Sequence, residues 1–206
     1  MKSPDWKDCL PRVLAHLGEA TQASRVYVFK KHFGPDDSLL ISQLDEWCDA
    51  GIEPQIENPT LQNMGFAQAG YSRWIGLFNE GLPVCGVVKD IPPEEQREFT
   101  REGILSVICF PIQVGNDWWG FIGFDDCRTE REWSAIEIEA LRTAVSTLGA
   151  AIQRKITEEA VFKGETSYQG LFNSVSDAIY IQNTDGRFLD VNDGAVRMYG
   201  YPKSFF

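Results

Sequence analysis

Histidine is scarce, cysteine is scattered and basic side chains are outnumbered. Two histidines, His16 and His32, and five cysteines without a C-x-x-C pair give no zinc-site pattern, so no metal is expected. The odd cysteine count gives no disulfide framework either. Cys9, Cys48, Cys85, Cys109 and Cys127 read instead as small apolar side chains in a reducing compartment. Nineteen Lys and Arg against 30 Asp and Glu leave a formal charge of −11, which disfavours both nucleic acid and an anionic membrane surface as partners. No apolar run approaches the roughly 20 residues of a membrane helix. Met1 to Asp8 lacks the basic-then-apolar order of a secretory signal, so the expected location is cytoplasmic.

What is present is a globular composition: of 206 residues, 43% are hydrophobic and 12% aromatic, enough for a substantial core. Trp6, Leu10, Val13, Leu14 and Leu17 share one face of a helix. Arg25 to Lys30 and Leu39 to Trp47, separated by Gly34-Pro35-Asp36-Asp37, read as a hairpin. An irregular stretch with Pro54, Pro59 and Gly65 follows, with a short helix over Ala69 to Phe78. Val84 to Val88 is a short strand and Pro92 to Glu102 a charged helix. Leu105 to Val114 and Trp118 to Asp125 form a second hairpin, in which Gly115-Asn116 supplies positive φ at the turn.

Ser134-Ala135-Ile136-Glu137 is a capping box that starts a long helix. Its apolar positions Ile138, Leu141, Val145, Leu148, Ile152 and Ile156 recur at spacings of 3 and 4, which predicts a parallel homodimer seam through the helix from Ser134 to about Lys163. The alternative is that the stripe packs on the chain's own sheet, as its first turns are expected to do. After Gly164 a new unit begins with Tyr168 to Val175. Two short strands, Ala178 to Gln182 and Phe188 to Val191, are joined by Asn183-Thr184-Asp185-Gly186. This unit is far below the roughly 100 residues of an ordinary domain, so the expectation is a piece of a longer protein.

The element order, with Ser24-Arg25-Val26-Tyr27-Val28-Phe29 and Trp118-Trp119-Gly120-Phe121-Ile122-Gly123-Phe124-Asp125, resembles a GAF domain over residues 5–155. Residues 156–167 read as a helical linker. Residues 168–206, with Asp177-Ala178-Ile179, Thr184-Asp185-Gly186-Arg187-Phe188, Val191-Asn192 and Tyr199-Gly200-Tyr201, resemble the first part of a PAS domain. The series is typical of the sensory region of sensor histidine kinases in two-component systems.

The resemblance implies an α+β fold: a central antiparallel sheet of about six strands, with terminal helices on one face and a ligand-side cover, Asn58 to Phe78, on the other. It implies a non-catalytic input module that binds a small ligand or partner and relays its state to downstream kinase domains. Trp47, Phe66, Tyr71 and Trp74, with Cys85 and Phe110, are the expected ligand-binding residues; the same aromatics could instead simply fill the core. No catalytic residue is expected, since neither His16 nor His32 sits where a kinase phospho-acceptor would. The ligand is unidentified and the sequence requires no cofactor. Three alternatives stand beside this reading. One is a dimerisation scaffold without ligand. Another is a tetrapyrrole sensor using Cys85, although the usual Cys-His pair is absent. The last is a free methionine-(R)-sulfoxide reductase, suggested by Val84-Cys85-Gly86 but lacking further cysteines in Asp90 to Gly103. Phe121 to Asp126 matches only half of the cyclic-nucleotide motif, and Asp125 and Asp126 read as solvated charges ending a strand.

Overall fold

The computed structural model describes residues 6–206, which form two compact units meeting at Lys155 and Ile156. In the first unit, helix α1 (Trp6–Thr21) precedes a hairpin of β1 (Arg25–Phe33) and β2 (Leu39–Cys48). The irregular stretch holds β3 (Met64–Gly65) and α2 (Ser72–Asn79), and then come β4 (Val84–Val87) and α3 (Pro93–Arg101). A second hairpin, β5 (Ser106–Val114) and β6 (Asp117–Asp126), leads into α4 (Ala135–Ser174). The six strands make one antiparallel sheet in the order β3-β2-β1-β6-β5-β4, the α+β architecture expected. Only Gly115 takes positive φ, at 64°, in the β5–β6 turn; Asn116 does not, which fits a turn with glycine at its first central position.

Alternation along the strands sorts the core into two layers. Val26 and Val28 point to one face, with Ile108, Phe110, Ile122 and Phe124, where α1 and α4 cover them. Tyr27, Phe29, Cys109 and Phe121 point to the other, beneath α2, α3 and the irregular stretch.

The helical stripe belongs to the first layer. Leu141, Val145 and Ile152 are buried at 3%, 4% and 0% exposure against Leu10, Leu14 and the sheet, with Ile138 and Leu148 packed beside them. Gly149 allows this close approach, since a Cβ there would stand 2.5 Å from the Gln113 carbonyl oxygen. This corrects the dimer seam expected over Ile138 to Ile152: the chain's own sheet already occupies that face. Ile156, at 39% exposure, is the first member of the stripe left open. The capping box forms as read, with Ser134 N–H donating to Glu137 Oε2 at 2.8 Å and Glu137 N–H to Ser134 Oγ at 3.3 Å.

The second unit contains the end of α4, the hairpin of β7 (Tyr180–Gln182) and β8 (Phe188–Val191), and helix α5 (Asp193–Tyr199). Asn192, fully buried, ties it together. Its side-chain amide donates to the carbonyls of Phe172 and Asp177 at 3.1 and 2.9 Å, while its oxygen accepts from Ile179 N–H and from Ala195 N–H at the start of α5.

Candidate functional site

A cavity of about 60 Å³ lies between the sheet and its cover. One end is aromatic. Phe66 stacks on Phe121 at 5.8 Å and on Tyr71 at 5.3 Å, and Tyr71 meets Trp74 edge-on at 4.9 Å. Trp74 is fixed from behind, since its indole N–H donates to Glu95 at 2.7 Å and Arg73 pairs with the same buried carboxylate. Gly70, at φ 101°, lets the chain turn into α2, and a Cβ there would sit 2.6 Å from the Glu94 carbonyl oxygen.

The other end is charged. Arg25 and Asp125 are directly opposed on β1 and β6, both buried. The Arg25 guanidinium holds Glu102 at 2.8 Å, Glu46 at 3.2 Å and the Glu53 carbonyl at 3.1 Å, but reaches only to 3.8 Å from Asp125 Oδ2. Burial alone would weaken the charge on Arg25, yet Asp125, Glu46 and Glu102 together raise its pKa. Tyr27 donates its hydroxyl to Asp125 Oδ1 at 3.0 Å. Its ring lies over Gly123, its cross-strand partner, where any Cβ would collide with it. Four buried atoms on cavity-lining residues have no hydrogen-bond partner: Arg25 Nε and Glu46 Oε1, which face each other as an ion pair, and the acceptors Asp125 Oδ2 and Gln43 Oε1, on residues exposed by 0% and 5%.

Burial pushes the Asp125 carboxyl up to about 7, against the opposing pull of Arg25 and the Tyr27 hydrogen bond, with Glu102 and Glu46 pushing the same way as burial. Cys109 on β5 and Cys127 just beyond β6 also feel its charge, and burial raises both thiols. Burial raises Glu102 as well. A groove outside this end shares Arg25, Gln55 and Glu102 with the cavity, so the Arg25–Glu102 pair stands between the two.

Of the residues read from the sequence, the structure gathers Phe66, Tyr71 and Trp74 on the cavity wall. Trp47 and Phe110 lie in the opposite layer, Trp47 against Gly18 of α1 and Phe110 beneath α4, because strand alternation turns them away. Cys85 is exposed on β4, paired with Ile108 of that same opposite layer, and does not reach the cavity. Asp125 and Asp126, read as solvated, are buried at 0% and 7% exposure. Asp126 caps the following turn, accepting from Arg128 and Thr129 N–H. The charged end of the site was therefore missed. Its signal was available: alternation puts Arg25, Tyr27 and Phe29 on one face with Phe121, Gly123 and Asp125.

Among the described residues no three His, Cys, Asp or Glu side chains converge as a metal site, and no helix is long and apolar enough to cross a membrane. The GAF domain family matches residues 5–152 and a PAS domain family matches residues 166–205. The chain is 39% identical over 157 residues to the methanogenesis regulatory histidine kinase FilI of Methanothrix harundinacea, covering 76% of this chain and 18% of that protein. It is 30% identical over 158 residues to the methyl sulfide methyltransferase-associated sensor of Methanosarcina acetivorans, covering 74% of this chain and 14% of that one. The chain thus spans under a fifth of either relative. The blue-light absorbing form of the Thermosynechococcus elongatus PixJ GAF domain shares the fold, with a TM-score of 0.64 at 16% identity over 78% of this chain and 92% of that one. By its sheet, its cover and these matches, the chain belongs to the GAF domain family, followed by a PAS domain segment, and resembles the sensory region of a sensor histidine kinase.

Proposed function

We propose that the chain is a non-catalytic, cytoplasmic input module in which a small ligand, held between sheet and cover, biases the packing of α4. The observation carrying this reading is the pair of unpaired buried acceptors, Asp125 Oδ2 and Gln43 Oε1, on a cavity over the sheet whose reverse face packs α4. Buried polar atoms are ordinarily paired, and orphans mark a place where a partner is expected. A scaffold with a filled core would leave no cavity for these two acceptors to face, which disfavours the ligand-free alternative. A tetrapyrrole fits poorly: about 60 Å³ is far below the several hundred Å³ of an ordinary cofactor pocket, and Cys85 lies on the wrong face. The reductase reading fits no better, with Cys109 buried and its thiol driven well above the ordinary range.

Ligand binding shifts a two-state packing only by its differential affinity for the two states. The sheet supplies the connection, since β1 and β6 give Tyr27 and Phe121 to the cavity layer and Val28, Ile122 and Phe124 to the α4 layer. Homodimerisation in this reading falls on the later part of α4. There Val161, Phe162 and Leu171 are 63%, 73% and 71% exposed. Histidine kinase domains in a longer protein would receive the signal, as the name of one relative suggests. Native mass spectrometry of the gently purified chain tests the site. A small non-covalent mass should be present in wild type and lost in Leu61→Trp, which fills the cavity wall, while melting stays similar. An unoccupied wild type would count against it.

A further inference from the structure

The cavity's charge balance identifies a chemical class of ligand, and this deepens the reading of the cavity as a binding site and rests on it. Four carboxylates, Glu46, Glu98, Glu102 and Asp125, line it against one cation, Arg25. That cation is already committed to Glu102, Glu46 and the Glu53 carbonyl. An anionic ligand would meet excess negative charge, and the one Arg25 N–H without a hydrogen bond, at Nε, is ion-paired with Glu46. Of the four lining atoms without a hydrogen bond, Arg25 Nε and Glu46 Oε1 face each other as an ion pair at 3.2 Å, which leaves the two acceptors Asp125 Oδ2 and Gln43 Oε1 calling for a donor. The remaining wall is aromatic, with Phe66, Tyr71, Trp74 and Phe121 prominent. Aromatic faces attract a cation, most strongly where water is excluded. A metal ion would want several converging oxygen ligands, which the described residues do not provide, and would gain little from ring edges and methyl groups. At one water per roughly 10–15 Å³ of such space, the volume suits a group of about four to six non-hydrogen atoms.

We infer that the cavity takes a small protonated alkylamine, whose N–H donates to the carboxylate of Asp125 and whose alkyl groups lie against the aromatic wall. Arg25 and Glu102 form the partition through which it arrives from the outer groove. Arg25 is then a positioning residue: it pairs with Glu46 and Glu102 while leaving Asp125 Oδ2 without a hydrogen-bond donor.

Isothermal titration calorimetry of the whole chain tests this with three probes of similar size. They are trimethylammonium chloride, neutral tert-butanol with one O–H donor, and anionic isobutyrate. Trimethylammonium should bind, at least about tenfold more tightly than either competitor, and Asp125→Asn should weaken it by about tenfold or more. Gln43→Met removes the second unpaired acceptor while leaving the Arg25 network intact. It should also weaken binding, because the amide carbonyl dipole attracts the cation without using the single N–H given to Asp125, and it carries the test if Asp125→Asn fails to fold. Preferential binding of tert-butanol or isobutyrate would overturn the alkylamine class while leaving the cavity as a ligand site. Binding of none of the three would overturn both. Binding of trimethylammonium unchanged in both variants would place it elsewhere and overturn the assignment.

Discussion

Asp125 makes the stability of the GAF domain depend on pH in a way that can be worked from its burial. Its carboxyl moves from an ordinary value of 3.8 in the unfolded chain to about 7 in the fold. Between those values the folded state holds a proton that the unfolded chain releases. The stabilising contribution is therefore full below the unfolded value and is lost as pH rises through the folded one. The slope is about 1.4 kcal/mol per pH unit, so about 2 kcal/mol is lost between about pH 5.5 and pH 7. Glu102, raised in the same direction, adds to the trend, whereas Glu137, lowered to about 2, acts only below its ordinary value of 4.5. Asp125→Asn cannot titrate, so the difference between variant and wild type isolates the group. Urea unfolding followed by tryptophan fluorescence, with Trp74 and Trp118 buried in the cavity-side layer, reads it. The variant should gain about 2 kcal/mol relative to wild type over that window. A difference that stays constant with pH would refute the assignment of a displaced carboxyl to this position.

Gly123→Val should push Tyr27 off Asp125 and cost about 1 to 3 kcal/mol in chemical denaturation; a neutral result would mean the ring does not rest on Gly123. Ile152→Glu should unfold the domain, while Val161→Glu with Leu171→Glu should leave it folded and produce monomers on light scattering; a folded Ile152→Glu monomer would restore the earlier seam. Alkylation of exposed Cys85 should leave ligand binding unchanged in calorimetry, and loss of binding would bring Cys85 into the site. Affinity for trimethylammonium should rise with pH up to about 7 as Asp125 ionises, and a flat profile from pH 5.5 to 8 would remove the carboxylate from the binding event.

Much of the fold was legible because its signals are local. The capping box at Ser134, the β-branched strands and the turn glycine at Gly115 each specify their own backbone. The site was legible only in its apolar half, since Phe66, Tyr71 and Trp74 are crowded into one short stretch. The charged half depends on Arg25 and Asp125, 100 residues apart in sequence, becoming cross-strand neighbours. That pairing follows from register, which a linear scan of charge does not supply, and so a strand-ending aspartate looked solvated. Trp47 and Phe110 erred in the opposite way, because being aromatic does not say which face a strand residue takes. The stripe on α4 misled for a related reason: a 3–4 spacing fits a partner helix and a home sheet equally well, and here the sheet claims Leu141, Val145 and Ile152.

The central claim is that a carboxylate-lined, aromatic cavity under the GAF cover holds a small cationic ligand. A crystal structure of the chain grown with trimethylammonium chloride tests it most directly. The account predicts density in the cavity with nitrogen within hydrogen-bond distance of Asp125 Oδ2 and methyl groups against Phe66, Tyr71 and Trp74. Ordered waters alone, bridging Asp125 and Gln43, would contradict it.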